Sequence, residues 1–494
     1  MGDRYFWAWG LTDFGNATFQ GIAHGLSRLW TSGLWPFESS EKNFIKRINS
    51  LFTGAKNLTR SNGSLEEAFP NEGSYCVTAL VAFDFLVTLD LLSDKISNTQ
   101  RNNYIEIIRP FIAYLINNDE NHAIISNHLA TAVAALLRWD LLIGGDKKAA
   151  NKAEILLARI LKNQSKEGWF KEYEGLDPGY QTLCIHYLSD VHLIRPDLNL
   201  LEKISRSVRF LDFFAHPDGS FGGHYGSRCT RFYYPSGILA LADEIPESIG
   251  LSTYLQNSIS ENRVVGLSSM DESNLIPMFN SYAWAASLSQ NRHQGIIENG
   301  SGLLPFESKQ PFRRNFNDAG LLIDRGHKHY SIINYKKGGV TYHFAGNKLA
   351  HIDTGVILES PKGKLGSNQI YDKNLNVIFT NNSIQIHNRF AEMPKKKTSP
   401  FKFLILRLLC ISIFRISSIR NLAKRLLVKY LITEPRLWPI WNVRVIKLGE
   451  DLKIIDQSDF KSGFNKVKLT GPFTPIHMAS QGYWQVQDEF QDAS

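Results

Sequence analysis

The sequence predicts an α/α toroid, an incomplete barrel of helix hairpins, in residues 1–314, followed by an antiparallel β-sandwich in residues 315–494. Three observations lead to this fold class. Similar short segments recur with a spacing near 51 residues, and the stretches between them carry apolar residues at the helical spacing of three and four. After about residue 315 the pattern changes to short strands joined by turns.

A glycine in a polar turn marks the repeat. Segments 62–65, 167–170 and 218–221 look alike; Gly168 and Gly219 lie 51 residues apart, and Gly63 precedes Gly168 by 105. Two helices are predicted after such turns, in the pairs 75–92 with 99–116, 124–143 with 147–161, and 180–193 with 200–214. A helix-hairpin repeat forms a solenoid or a closed toroid. Long loops rich in Gly, Tyr and Trp favour the toroid, whose inner helix ends line a cleft.

Strands dominate the rest of the chain. Segments 329–335 and 340–344 flank a Lys-Lys-Gly-Gly turn and predict a β-hairpin. Further strands are expected at 350–358, 376–380 and 383–387, and a second hairpin joins 442–448 to 451–456. Antiparallel pairing is therefore expected throughout this domain.

A basic helical insertion interrupts the strands at about residues 395–432. Its apolar part, 403–414, is about twelve residues long, which is too short to cross a bilayer. One interpretation is a basic amphipathic helix that makes a peripheral contact with an anionic membrane through residues 401–432. The other is an insertion that packs on the sandwich with its basic face in solvent.

The net charge of +8 suits an anionic partner. Signatures of nucleic-acid-binding modules are not found, so an acidic glycan is expected rather than nucleic acid. The four cysteines have no CxxC or zinc-type spacing and are expected to be free buried thiols. Residues 1–4 do not begin a signal peptide, which favours the cytoplasm or the inner membrane surface over the periplasm.

Polar and aromatic residues at the starts of the predicted inner helices form the candidate site. Equivalent positions of neighbouring repeats converge on one cleft if the repeats close a toroid. The set combines an amide, imidazoles, tyrosines and arginines: Asn127, His128, Tyr180, His224, Tyr225, Arg228 and Arg231. Such a set suits β-elimination in a uronic-acid chain, where a proton next to a carboxylate must be removed.

Each residue type has a role in that reaction. An amide and a protonated or hydrogen-bonding imidazole neutralise the carboxylate and stabilise the enolate that develops. A tyrosinate or a histidine takes the proton, and a tyrosine hydroxyl returns one to the leaving oxygen. Arg228 or Arg231 lowers the pKa of the tyrosine or holds a neighbouring uronate.

Two short motifs resemble a known family. Asn127-His128 at a helix start, followed by Glu174-Gly175 and Pro178-Gly179-Tyr180, is similar to the heparinase II/III-like polysaccharide lyases and related alginate lyases. The resemblance implies a toroid followed by an antiparallel sandwich. It also implies that Asn127 and His128 neutralise the carboxylate and that Tyr180 is the catalytic acid or base. Substrate contacts are expected from Tyr75, Trp169, Glu174, Arg228 and Arg231.

The family also carries a His-x-His-x-Asp motif on an early sandwich strand. This chain has Leu349-Ala350-His351-Ile352-Asp353 there, so the first histidine is replaced by leucine. His351 is a candidate catalytic residue and Asp353 a candidate ligand of a structural divalent metal; no cofactor is required. With the first histidine absent, either a catalytic base is lost or its role has moved to His224, Tyr225 or His343.

Several functions remain open at this stage. The main hypothesis is a lyase for an acidic polysaccharide; a uronyl C5-epimerase, which shares this architecture, would use the same proton abstraction. A non-catalytic protein that binds glycan or assembles bacterial surface polysaccharide is a third interpretation. A glycoside hydrolase would need paired carboxylates, and no suitable pair is found among Glu67, Glu172, Glu174 and Asp177. The oligomeric state is not predicted.

Overall fold

The computed structural model describes residues 17–67, 71, 73–120, 125–173, 175–291, 302–372, 374–393, 400–428, 436–459 and 463–475. The helices that precede the first strand are α1 (Ile22–Thr31), α2 (Glu41–Leu58), α3 (Tyr75–Leu91), α4 (Asn98–Asn117), α5 (Ser126–Ile143), α6 (Lys147–Lys162), α7 (Pro178–Ile194), α8 (Leu201–Leu211), α9 (Ser236–Ala240), α10 (Ser248–Ser260) and α11 (Glu272–Asn291).

The odd-numbered helices form the inner ring of a toroid. Each contacts the next odd-numbered helix, and α11 returns to contact α1. Helices α3, α5 and α7 are apolar and buried along most of their length, whereas α2, α6 and α8 bury one face. An inner helix is covered on all sides, so it loses the polar stripe of a surface helix. The arrangement confirms the predicted toroid.

The three glycine turns have one backbone conformation. Gly63, Gly168 and Gly219 all have positive φ angles, and the amide of each donates to the carbonyl three residues earlier. A Cβ at Gly63 or Gly168 would lie 2.2 or 2.3 Å from a carbonyl oxygen of the next outer helix. Glycine is therefore needed both for the left-handed conformation and for close approach. The repeat seen in the sequence is a repeat of this turn.

The strands form two antiparallel sheets. The first is the meander β1 (Phe312–Phe316), β2 (Leu321–Arg325), β3 (His329–Asn334), β4 (Val340–Ala345) and β5 (Lys348–Asp353). The second contains β6 (Ile357–Glu359), β7 (Leu365–Ser367), β8 (Asn376–Phe379), β9 (Ser383–Glu392), β10 (Leu437–Lys447), β11 (Lys453–Ser458) and β12 (Asn465–Lys466). Its order is β11-β10-β9-β7-β6-β12, and β8 also pairs with β9.

The first sheet is covered on both faces. Tyr330 and Ile332 belong to the core of the toroid, while Ile333 on the same strand packs with Ile386 and Ile446 of the second sheet. Every residue of β3 is therefore buried. The layers confirm the predicted sandwich and place it directly against the helical ring.

Two predicted elements are divided in the structure. The strand expected at 350–358 is two strands in different sheets, β5 and β6, because Gly355 has a φ of +107° and the chain turns there. The insertion is a pair of helices, α12 (Pro400–Ile411) and α13 (Ser417–Val428). Within the described ranges, the chain contains no helix with the length and apolar character needed to cross a membrane.

Lys337 links the sandwich to the toroid. Its buried Nζ donates to the carbonyl oxygens of His224 at 2.8 Å and Gly226 at 2.6 Å. Burial lowers the pKa of this ammonium group from 10.5 to about 8. The charged form is therefore less stable in the folded protein than in the unfolded chain.

This shift predicts a pH dependence of stability. Between about pH 8 and pH 10.5 the unfolded chain binds the Lys337 proton and the folded protein does not, so the free energy of unfolding rises with pH, by up to about 3 kcal/mol. The measurement is urea unfolding at about pH 7.5 and about pH 9.5. We expect the free energy of unfolding of wild type to rise relative to that of Lys337→Met between these two pH values. Lys336→Met is the control: it removes an exposed neighbour and keeps Lys337, so its stability should rise with pH as that of wild type does. A difference between wild type and Lys337→Met that does not change with pH would refute the effect.

Candidate active site

Asn127 at the start of α5 is held by the neighbouring repeat. Helix α5 has no side-chain cap of its own; instead Glu172 Oε1 accepts from the Asn127 backbone N at 3.0 Å and from its Nδ2 at 2.9 Å. An isolated bridge between Ile125 and Glu172 sets this approach. One hydrogen of the amide is thus committed to Glu172, which fixes the orientation of the side chain and leaves the second hydrogen for another acceptor.

Arg228 joins the starts of α5 and α7. Its Nη2 donates to Glu172 Oε2 at 2.9 Å and its Nε to Asp177 Oδ2 at 2.9 Å. All three side chains are almost fully buried. Burial lowers the pKa of Arg228, but Asp177 and Glu172 raise it more, so the guanidinium stays charged. Both carboxylates and the cation therefore satisfy each other inside the protein.

Tyr180 lies in the first turn of α7 against this cation. Asp177 caps the helix by accepting from the Tyr180 N at 3.0 Å, and the Arg228 guanidinium stacks 3.7 Å from the ring centroid. The hydroxyl donates to Asn274 Oδ1 at 2.9 Å. Burial raises the pKa of Tyr180 well above 10 although Arg228 opposes it, so the phenol is neutral. Asn127 and Tyr180 are thus connected through Glu172 and Arg228.

His128 is the most accessible member of the group, with 21% of its side chain exposed. Its Nδ1 lies 3.0 Å from Glu120 Oε2, and the Cys76 thiol interacts with the same ring. Burial lowers the pKa of His128, but Cys76 and Glu120 raise it further, so the net pKa is well above 6.5. Glu120 therefore favours the imidazolium form of the ring, which lies beside the Asn127 amide in sequence.

His224 and Tyr225 face the sandwich. The Nδ1 of His224 lies 2.7 Å from the Tyr342 hydroxyl, and burial lowers the pKa of His224 to about 3, with further lowering by Lys337. Tyr225 is fully buried, and its hydroxyl lies 2.8 Å from Nε2 of His216. His224 therefore stays uncharged, and both side chains are buried against the first sheet.

The predicted substrate-binding residues are distributed unevenly. Arg228 lies at the centre of the group, and Arg231 is close enough to His224 to lower its pKa. Trp169 donates to Glu167 beside the first sheet, and Tyr75 is buried at the start of α3 with its hydroxyl 3.5 Å from a backbone carbonyl. Glu174 lies outside the described residues. The contacts thus bring Arg228 into the site and leave Trp169 and Tyr75 at its periphery.

The motif on β5 stands apart from this group. His351 is exposed and lies opposite His343 in the register of β4 and β5. Asp353 Oδ1 accepts from Arg444 Nη1 at 2.7 Å, and Arg444 is fully buried between Asp353 and Asp456. In the part of the chain that the structure describes, no three His, Cys, Asp or Glu side chains group to hold a metal ion. The metal role predicted for Asp353 therefore gains no support.

The ion pair at Asp353 leads to a prediction about chelation. The Arg444 guanidinium neutralises this carboxylate. We expect EDTA to leave the melting temperature unchanged, and Asp353→Asn to lower it without changing the metal content. A melting temperature that falls with EDTA and recovers with a divalent ion would show that the site binds metal after all.

Four residues of the site gain a role only from the structure. The sequence marks Glu172 and Asp177 as carboxylates of a possible hydrolase, yet both hold Arg228. Glu120 and Asn274 carry no signal in the sequence, and they hydrogen bond His128 and Tyr180. One feature of the sequence could have indicated the ion pair of Asp177 with Arg228: the two residues are 51 positions apart, which equals the repeat spacing.

Solved structures similar to this chain include three polysaccharide lyases. A heparinase III has 11% sequence identity and a TM-score of 0.46, with 74% of this chain and 59% of that chain covered. A xanthan lyase from Paenibacillus has 10% identity and a TM-score of 0.42, with coverage of 77% and 42%. A chondroitin AC lyase from Streptomyces coelicolor A3, in complex with chondroitin sulphate, has 10% identity and a TM-score of 0.46, with coverage of 75% and 62%.

This chain thus spans about 40 to 60% of the length of the lyases to which it is similar. The sequence itself matches no protein-family model and no curated protein.

Proposed function

We propose that this protein cleaves an acidic, uronic-acid-containing polysaccharide by β-elimination. The observation that carries the proposal is the oriented amide of Asn127, which is joined to the neutral Tyr180 through Glu172 and Arg228, with the imidazole of His128 next in sequence at the start of α5. A carboxylate bound at the start of α5 would meet the imidazolium, the second amide hydrogen and the positive end of the helix dipole. These groups stabilise the negative charge that moves onto the carboxylate when the neighbouring proton leaves.

The proton and electron movements assign a task to each residue. A base removes the proton from C5 of the uronate, and the electron pair forms the C4–C5 double bond. The bond from C4 to the glycosidic oxygen breaks, and that oxygen takes a proton. Tyr180 fits the donor role because burial keeps its hydroxyl protonated. A positioned acid of this kind contributes roughly 10²–10⁴-fold to the rate.

His224 is a neutral imidazole in the loop that also carries Arg228, and it is the proposed base. Its pKa of about 3 reflects burial and the nearby cations Lys337 and Arg231. An anionic uronate bound beside it would offset those cations and raise the pKa, since a nearby negative charge favours the protonated ring. Substrate binding would thus make His224 a stronger base.

The direct test is the near-ultraviolet absorbance of unsaturated chain ends. The panel should contain alginate, heparan sulphate, chondroitin, hyaluronan and bacterial capsular glycans. We expect absorbance to rise with at least one uronic-acid polymer. A flat trace on all of them, together with deuterium uptake at C5 from heavy water, would replace the lyase by a C5-epimerase.

A non-catalytic glycan-binding protein is the second candidate. The burial of Tyr180, which is 4% exposed and already bonded to Asn274, favours it, because a catalytic hydroxyl must reach the substrate. Under this alternative, neither unsaturated ends nor deuterium uptake would be detected. Glycan affinity measured by calorimetry would then stay the same when Tyr180 is replaced by phenylalanine.

The charge on His128 predicts the alkaline side of the pH profile. Neutralisation of the carboxylate requires the imidazolium, so the rate should fall as pH rises through the elevated pKa of His128. Replacing Glu120 by glutamine removes one of the charges that raise this pKa, and the alkaline limb of kcat/KM should move to lower pH. Asp119→Asn is the matched control, because Asp119 pairs with Arg159 instead. An unchanged limb in Glu120→Gln would exclude His128 as the group that titrates.

A further inference from the structure

Helix α12 carries an apolar stripe that faces away from the protein. Phe401, Leu404, Ile405, Leu408 and Ile411 are all exposed, Phe401 by 70%. They follow one another at intervals of three, one, three and three residues, which places them on one side of the helix. An exposed row of this kind is typical of a contact surface and not of a helix that packs against its own domain.

The second helix of the insertion repeats this pattern. Ile416, Ile419, Leu422 and Leu426 are exposed along α13 and its first turn, again at helical spacing. We call the exposed apolar side chains of α12 and α13 together the insertion surface. Each helix has 12 residues, so its length is about 18 Å, shorter than the hydrocarbon core of about 30 Å.

The opposite side of the insertion is attached to the toroid. Cys410 is fully buried, and its carbonyl oxygen accepts from Nδ2 of Asn71 at 2.9 Å. Arg420 is nearly buried and donates to the carbonyl oxygen of Phe414 at 2.9 Å, which fixes α13 to the turn that precedes it. Cys410 and Arg420 therefore lie on the buried side of the insertion, and the apolar stripe lies on the exposed side.

The charge of the segment identifies the partner. Ten Lys and Arg residues and no Asp or Glu lie between residues 395 and 432, which exceeds the net charge of +8 of the whole chain. Arg415, between the two helices, is exposed next to the apolar row. An exposed apolar stripe within a strongly cationic segment matches the interface of a bilayer that contains anionic lipids, where the apolar side chains enter the acyl region and the cations meet the headgroups.

We propose that α12 and α13 dock this protein onto the surface of an anionic phospholipid membrane, with the insertion surface lying in the headgroup region. An acidic polysaccharide would satisfy the cations but would leave the apolar row in water. The lipid surface therefore accounts for both features, and the inference is independent of the reaction proposed above.

Vesicle co-sedimentation of the full chain tests the proposal. We expect binding to vesicles of phosphatidylcholine mixed with phosphatidylglycerol, weaker binding at high salt, and little binding to phosphatidylcholine alone. The triple variant Leu404→Ser, Leu408→Ser and Ile411→Ser should bind anionic vesicles at least about tenfold more weakly, because three inserted side chains are lost. Since these side chains are exposed, the variant should keep its melting temperature.

The matched control removes the same kind of side chain elsewhere. Leu141, Ile155 and Leu193 are exposed to a similar extent on the toroid, and replacing all three by serine should leave vesicle binding unchanged. Equal binding by wild type and the α12 variant would overturn the proposal, as would the absence of binding to anionic vesicles. Binding of alginate that is lost in Lys395→Glu, Lys396→Glu, Lys397→Glu, without any vesicle binding, would assign the segment to polysaccharide instead.

Discussion

Replacing Tyr180 by phenylalanine should reduce the rate of β-elimination by roughly 10²–10⁴-fold, which is the contribution of a positioned proton donor. The substitution removes a hydroxyl whose contact is the hydrogen bond to Asn274, while the ring keeps its place against Arg228. We therefore expect kcat to fall with little change in KM or in melting temperature. The measurement is the initial rate of near-ultraviolet absorbance at saturating substrate.

Tyr225→Phe is the matched control for this experiment. It also removes one tyrosine hydroxyl, but from a fully buried position where the partner is His216. The expected cost is about 1 kcal/mol of stability, with the rate per folded molecule preserved. If Tyr225→Phe lost activity and Tyr180→Phe kept it, the assignment of the catalytic tyrosine would be reversed.

The second large effect is on stability. Arg228→Leu would leave Glu172 and Asp177 buried without their cation, and loss of one partner from a buried ionic network costs about 3–5 kcal/mol. Urea unfolding near neutral pH should show this as a large decrease in the transition midpoint. Activity should fall as well, because Glu172 orients Asn127 and is itself held in place by Arg228.

Arg209→Leu provides the comparison. Arg209 pairs with Glu247 at 3.0 Å, but both side chains are about half exposed. Water replaces such a pair readily, and its loss costs about 0–1 kcal/mol. A cost for Arg228→Leu that is no larger than the cost for Arg209→Leu would contradict the expectation that the buried carboxylates need this cation.

The fold is largely predictable from the sequence because its signals are local. Gly63, Gly168 and Gly219 are each required by the same backbone turn, so the repeat can be recognised from the amino-acid sequence. The apolar spacing of the inner helices is equally local. The break at Gly355 is hidden because strand-forming residues lie on both sides of it in 350–358, and only the packing shows that the two halves belong to different sheets.

The site is predictable only in part. Ion pairs between neighbouring repeats recur near the repeat spacing, as in Asp177 with Arg228 and Arg138 with Asp190, 51 and 52 residues apart. The repeat spacing alone is therefore enough to suggest the pair of Asp177 with Arg228. Glu120 lies eight residues before His128, and its contact depends on how the chain enters α5, which no periodic signal reports.

Burial is the quantity that the sequence does not supply. Tyr225 and Tyr180 both lie within two residues of a glycine, and nothing in their neighbours shows which of them is accessible. The structure places the Tyr225 hydroxyl on His216 inside the core and the Tyr180 hydroxyl on a partly exposed asparagine. The identity of a residue can be read from a sequence, but its access to a substrate depends on distant parts of the chain.

The strand β3 has a wider consequence for the organisation of the chain. Its residues contribute to the core of the ring on one side and to the sandwich on the other, and Tyr330 donates to the carbonyl oxygen of Phe213 across the boundary. Helical ring and sandwich are therefore one cooperative unit. Deleting or replacing either part would expose the apolar surface of the other part to water.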